Sequence, residues 1–191
     1  GRSITYDPRM SGVYFYPDTK SNWVTAYANR NTSFEADGIM GLDARVLFYY
    51  NAGGVTPAMA TTHVGLGSDY ALAFLDENAQ PFDGSKTYKL HLPPNVPVNN
   101  FWAVTLYDTQ TRTQLQTSQL FPTVGSQSEG MQQNADGSYD VYFAPQAPEG
   151  QQGNWLQTNT GKSWFAILRM YGPLKPRINK NWRPSEIELT Q

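Results

Sequence analysis

The stretch Phe101-Trp102-Ala103-Val104-Thr105-Leu106-Tyr107-Asp108 decides the fold. In an extended chain Trp102, Val104 and Leu106 share one side, and Phe101, Ala103, Thr105 and Tyr107 share the other. A strand wetted on one side alternates apolar with polar residues. This one is apolar or aromatic on both, which predicts a central strand covered on both faces. Trp164–Tyr171 repeats the pattern, with Trp164, Ala166, Leu168 and Met170 on one face and Phe165, Ile167, Arg169 and Tyr171 on the other. Arg169 is the exception, a lone charge in a strand otherwise fit for a core.

Working outward, further strands are expected at Tyr70–Leu75, at Tyr88–Leu92, where apolar residues alternate with Lys89 and His91, and at Tyr139–Phe143. Asp76-Glu77-Asn78, Asp83-Gly84 and Asn134-Ala135-Asp136-Gly137 read as turns. Upstream, short strands are expected at 13–16, 23–27 and 32–35, with a turn at Pro17-Asp18. One helix is predicted near residues 39–52. Asp37 is its candidate cap, Gly53-Gly54 ends it and Pro57 prevents a restart. Ile39, Leu42, Val46 and Tyr49 fall on one face at helical spacing, and Leu47, Phe48 and Tyr50 widen the apolar surface, so the helix is expected to be mostly covered. Many strands, frequent turns and a single main helix predict a mainly β fold, a jelly-roll-like antiparallel β-sandwich. Residues 39–191 read as the sandwich domain. Residues 1–38 read as an aromatic extension or interdomain segment, with more apolar side chains than one strand set needs; it is expected to pack on another chain or domain.

Of the 191 residues, 14% are aromatic and only 16% charged, so the core must be largely aromatic and the surface carried by neutral polar side chains. The net charge of −2 comes without a basic stripe, which argues against nucleic acid as a partner. With no cysteine, disulfides, thiolate metal sites and a cysteine nucleophile are excluded. No apolar run approaches the roughly 20 residues of a membrane-spanning helix. The sequence starts Gly1-Arg2-Ser3-Ile4, without an initiator methionine or leader, and is expected to be the downstream part of something longer.

No catalytic set stands on its own. His63 and His91 are the only histidines, and a triad or a histidine metal site would need one of them. There is no G-x-S-x-G elbow, and Gly65-Leu66-Gly67-Ser68 is too short for a phosphate loop. Loop acids at Asp76-Glu77-Asn78 or Asp136 offer hard oxygens for Ca²⁺, without EF-hand spacing. The constellation that carries most is Arg169 with Tyr107, Tyr171, Asp43 and Arg45. A core-strand arginine usually pairs with a carboxylate, and Asp43 is the expected partner. One reading is a clamp from helix to sheet. The other has Arg169 or Arg45 gripping an anionic or sugar-like ligand between aromatic rings. Exposed aromatics such as Trp23 or Trp155 would suit carbohydrate. A hydrolase or lyase site near Asp43, Arg45 and Arg169, completed by another domain, is the alternative.

Several motifs resemble one family in order. Phe101–Asp108 is similar to the "FWSvTlYD" signature of the DUF1214 domain. Asn134-Ala135-Asp136-Gly137-Ser138 resembles its "N-x-DGS" turn, and Asn154-Trp155-Leu156 its "NWL" element. Arg169-Met170-Tyr171-Gly172-Pro173 resembles "RlYgP", and Trp182-Arg183-Pro184-Ser185-Glu186-Ile187 the closing segment. Leu42-Asp43-Ala44-Arg45 and Thr56-Pro57-Ala58-Met59 resemble the stretch that precedes the domain. The resemblance covers about residues 40–191. It implies a jelly-roll-like sandwich, usually C-terminal to a DUF1254 domain, in proteins that look exported, so a periplasmic or secreted location and a DUF1254-like or homo-oligomeric partner are expected. It brings no catalytic residue set with it.

Overall fold

The computed structural model describes residues 1–7, 13, 15–16 and 19–190. The turn expected at Pro17-Asp18, and Tyr14 of the strand expected at 13–16, lie outside the described residues; Phe15 and Tyr16 form a bend rather than a strand.

The long central strand is β6. In chain order the strands are β1 (Trp23–Thr25), β2 (Glu35–Ala36), β3 (Ile39–Met40), β4 (Ser68–Ala73), β5 (Tyr88–Leu92), β6 (Val98–Asp108), β7 (Thr123–Gly125), β8 (Tyr139–Ala144), β9 (Trp155–Gln157), β10 (Trp164–Pro173) and β11 (Ile187–Leu189). Helices are short: α1 (Arg2–Thr5), α2 (Leu42–Asn51), α3 (Pro57–Ala60) and α4 (Lys175–Ile178). One sheet has the order β1-β4-β10-β6-β7 and a second the order β11-β5-β8-β9, while β2 and β3 form a small separate hairpin. All pairings are antiparallel except β8 with β9, which run parallel.

The two sheets bury their inner faces against each other. Trp102, Val104 and Leu106 of β6 and Trp164, Ala166, Leu168 and Met170 of β10 meet Tyr88, Leu90, Val141 and Phe143 of the opposite sheet in one buried cluster. Trp164 lies parallel to Phe82 at 4.1 Å and edge-on to Tyr88 at 5.6 Å. Contacts of this kind add about 0.5–1.5 kcal/mol each beyond area burial. The outward face of the five-stranded sheet forms a second cluster: Leu72, Phe74 and Phe165 lie under Ala44, Leu47 and Phe48 of α2, with Tyr27 and Phe34 of the N-terminal stretch. The central strands are thus covered on both faces, as their residue pattern requires. Within residues 1–38, Phe15, Tyr16, Trp23, Tyr27 and Phe34 are buried in this chain, and β1 is an edge strand of the larger sheet.

The helix departs from its sequence reading in three ways. It spans Leu42–Asn51 rather than 39–52, because Ile39 and Met40 pair back onto Glu35 and Ala36. Its N-terminus is at Gly41 with no side-chain cap, and its C-cap Ala52 is extended rather than left-handed. The buried face is Ala44, Leu47 and Phe48, whereas Ile39 (74% exposed), Leu42 (64%), Val46 and Tyr49 point to solvent. Apolar residues lie on both sides of this segment, so spacing alone does not choose a face. The choice follows the aromatic packing: Phe48 meets Tyr27 at 5.0 Å and Phe34 at 5.5 Å.

Candidate functional site: a pocket between helix and sheet

Between α2 and the outer face of the five-stranded sheet lies a pocket of about 360 Å³. Its size is at the lower end of small-molecule sites. Leu47 and Phe48 of α2 form one wall, Leu72, Phe165 and Ile167 of the sheet the other, and Val24 to Tyr27 close one side. The walls are aliphatic and aromatic. Against them stand three tyrosines, Tyr27, Tyr70 and Tyr107, and one cation, Arg169.

Arg169 belongs to the outward residues of β10. Its neighbours across the strands are Tyr70 of β4 and Ala103 of β6. The short Ala103 side chain leaves space beside the guanidinium, which extends towards the Tyr107 end of the sheet. There Nη2 donates a hydrogen bond to the Tyr107 hydroxyl. The guanidinium carbon lies 5.8 Å from the centre of the Tyr107 ring, and that ring stacks on Phe165 at 5.2 Å. No carboxylate among the described residues lies within ion-pair distance of Arg169. Its Nε–H is buried with no acceptor among the described residues. A half-buried guanidinium with spare donors and no counter-charge is costly for a fold to keep.

The tyrosines differ in their engagement. The Tyr70 hydroxyl shares a hydrogen bond with Ser68 Oγ at 2.8 Å. Burial, reinforced by the neighbouring Tyr70, pushes the Tyr27 phenol up to about 12, so it stays neutral well above neutral pH. Neither Tyr27 nor Tyr70 was among the expected site residues. Tyr70 was detectable from parity, since it shares a strand face with Leu72. Tyr27 was not, because its place depends on how the irregular N-terminal stretch folds back.

The other expected site residues do not join this group. Asp43 and Arg45 are exposed on α2, and Arg45 Nη1 contacts the Met40 sulfur at 3.6 Å. The expected Asp43–Arg169 pair is not formed: Asp43 lies in the first turn of α2, one turn before Leu47, at the exposed edge of the buried face. Tyr171 is on the same face as Arg169 but stacks on Phe101 at 4.1 Å, outside the pocket. Trp23, expected to be exposed, is buried with its indole N–H on the Ser185 carbonyl. Trp155 is half-buried and donates to the Ala144 carbonyl. His63 is exposed in its loop, and His91 Nδ1 shares a hydrogen bond with Asp140 at 2.7 Å. The acids considered for Ca²⁺ hold turns instead. Asp76 accepts the N–H groups of Asn78 and Gln80, and Asp136 accepts the N–H and the hydroxyl of Ser138. Among the described residues no three His, Asp or Glu side chains converge on one point.

The fully buried arginine is a different one, Arg177 in α4. Its Nε donates to Asp69 at 2.7 Å and Nη1 to the Tyr16 hydroxyl at 2.9 Å, and Phe15 lies over the guanidinium at 4.1 Å. This pair fastens the N-terminal stretch and α4 to β4. Sequence reasoning missed it because Lys175-Pro176-Arg177 reads as a polar turn after a strand end.

A structure of the VPA0106 protein from Vibrio parahaemolyticus is similar to this chain at a TM-score of 0.59 and 23% identity, covering 81% of this chain and 36% of that one. A putative uncharacterized protein from Burkholderia cenocepacia aligns at a TM-score of 0.49 and 19% identity, over 73% of this chain and 31% of that one. The chain therefore spans about a third of the length of these two solved structures. The first likeness supports the fold. No curated protein matches. The family model described as "Protein of unknown function (DUF1214)" matches residues 67–175, from the start of β4 to the start of α4, and the chain belongs to that family.

Proposed function

We propose that this chain binds a small amphipathic anion, a carboxylate or similar group on an aliphatic or aromatic body, in the pocket between α2 and the five-stranded sheet. The observation that carries this reading is Arg169: a cation on the wall of an apolar pocket, held by Tyr107 and lacking a carboxylate partner. The guanidinium supplies paired donors for a planar anion. The apolar walls suit the body of such a ligand and offer few partners for a ring of hydroxyls, so a sugar is the poorer fit here. The hydrolase or lyase alternative loses support, because Asp43 and Arg45 do not converge with Arg169.

The test uses two dyes of similar shape, the anionic 1-anilinonaphthalene-8-sulfonate and the neutral N-phenyl-1-naphthylamine. Fluorescence titration of the native protein should give saturable one-to-one binding of the anion and weaker binding of the neutral dye. Arg169→Met should weaken the anion roughly tenfold or more, the loss of a charge-assisted hydrogen bond or two. Equal affinity for both dyes, or full anion binding by a folded Arg169→Met variant, would refute the reading.

A second observation supports a protein partner. Leu42, Val46 and Tyr49 form an exposed apolar ridge along α2, continued by Ile39 and Met40. Such a ridge can pair with its own copy about a two-fold axis, and we infer a homodimer through it. Sedimentation should show a dimer that Leu42→Glu dissociates without unfolding. A monomer at all accessible concentrations would exclude self-pairing and point to an adjoining domain such as a DUF1254-like one.

A further inference from the structure

The inward residues of β6 run Val98, Asn100, Trp102, Val104, Leu106. All but Asn100 are apolar, and from Trp102 onward they are buried in the sandwich. Asn100 is a polar residue at a core position, and it is exposed because the sandwich opens beyond Trp102. The opening is a cleft of about 290 Å³ between the two sheets. Trp102 forms its floor, with the Tyr139 ring edge-on at 5.1 Å. Asn95, Gln133 and Asp136 stand around its mouth.

The polar groups of this cleft are held in place but only partly used. The turn 134–137 is closed by Gly137 N–H on the Asn134 carbonyl at 2.9 Å, with Gly137 at φ +87°. Asp136 Oδ1 accepts both the backbone N–H of Ser138 and its hydroxyl. These two bonds keep the carboxylate ionised, below the usual range, and its Oδ2 is left for another donor. Gln133 Nε2 donates to the Gly137 carbonyl at 2.8 Å, which fixes the amide and turns its oxygen free. Asn95 sits at φ +59°, a left-handed position that asparagine tolerates, and among the described residues neither its side chain nor that of Asn100 has a hydrogen-bond partner.

We propose that this cleft is a saccharide-binding site, separate from the anion pocket. A sugar hydroxyl both donates and accepts, and asparagine and glutamine amides answer both roles, while a carboxylate oxygen accepts from hydroxyls. The partly exposed Tyr139 ring, braced edge-on by the buried Trp102, provides an apolar surface for the C–H face of a pyranose. The lining carries no cation, which disfavours phosphates and carboxylates, and its polar rim disfavours a lipid chain.

The experiment is a nuclear magnetic resonance titration of the intact chain with methyl glycosides of glucose, galactose, mannose and N-acetylglucosamine. At least one should give saturable shifts confined to the side-chain amides of Asn95, Asn100 and Gln133 and to Tyr139. Asn100→Ala should weaken it roughly tenfold with an unchanged melting midpoint, and Asn100→Leu should abolish it. Binding of the anionic dye should be untouched in both variants, so the two sites fail or succeed separately. The proposal is overturned if no glycoside shifts these signals, if the shifts survive Asn100→Leu, or if tetramethylammonium binds there in preference to every sugar.

Discussion

Arg177 and Arg169 lie in the same domain, one in the turn after β10 and one within it, and their surroundings are opposite. Arg177 is fully buried, with a carboxylate and a phenol bonded to it and an aromatic ring above. Arg169 stands on a pocket wall with one phenol and no carboxylate. A buried charge that a fold needs for itself is paired at short range. Among the described residues each arginine keeps one buried N–H without a partner, so what sets Arg169 apart is that it faces an apolar cavity with no carboxylate beside it, which is better explained by what enters the cavity. The contrast separates an arginine that fastens chain segments from one that recognises a ligand.

The largest effect that bears on this contrast is at Arg177. Arg177→Met leaves Asp69 buried without its partner, and breaking one side of such a pair costs about 3–5 kcal/mol. Chemical denaturation should register that loss. Arg177→Met combined with Asp69→Leu should recover much of it, since a well-packed apolar replacement removes the stranded charge. A single mutant as stable as the wild type would erase the distinction, because Arg177 would then be no more structural than Arg169.

Arg169→Met is the counterpart and should be much milder. One hydrogen bond to Tyr107 disappears, worth about 1 kcal/mol, and the desolvation cost of an unpaired cation disappears with it. The two terms oppose each other, so denaturation should change by less than about 1 kcal/mol. A loss comparable with that of Arg177→Met would mean that Arg169 is a clamp, and the pocket would lose the feature that defines its chemistry.

Strand parity was the legible part of the sequence. The two faces of β6 and β10 are assigned correctly by alternation alone, because a period of two admits no ambiguity once both faces are apolar. The same alternation placed Arg169 and Tyr107 on one face. The helix was less legible: its apolar residues surround the axis, and the buried side is set by Tyr27 and Phe34, which arrive from a stretch with no regular pattern. The wrong face led to the wrong partner, Asp43, for Arg169. The Arg177–Asp69 pair was hidden for a related reason: its members are 108 residues apart, and nothing local in either segment marks a buried charge. The cleft beside Asn100 was not legible, because the strand expected from the sequence begins at Phe101 and leaves out the first three residues of β6, Val98 to Asn100.

The smallest effect concerns two buried phenols, Tyr16 bonded to Arg177 and Tyr27 in the wall of the pocket that Arg169 lines. Burial raises both Tyr16 and Tyr27, but at Tyr16 the Arg177 charge and hydrogen bond oppose the rise. Tyr27 has no such counterweight and stands at about 12. The unfolded chain ionises this phenol near 10. Below that pH both states hold the proton and the fold is unaffected. Between about 10 and about 12 the unfolded state releases it first, so the native state binds more protons and stability falls as pH rises. Tyr27→Phe should therefore leave stability at neutral pH nearly unchanged and flatten the decline across that alkaline window. Melting midpoints from neutral to alkaline pH, with tyrosinate absorbance followed in parallel, decide the matter. An identical decline in Tyr27→Phe would show that Tyr27 reaches water, and the pocket between helix and sheet would be wetter, and less suited to an apolar ligand body, than its walls indicate.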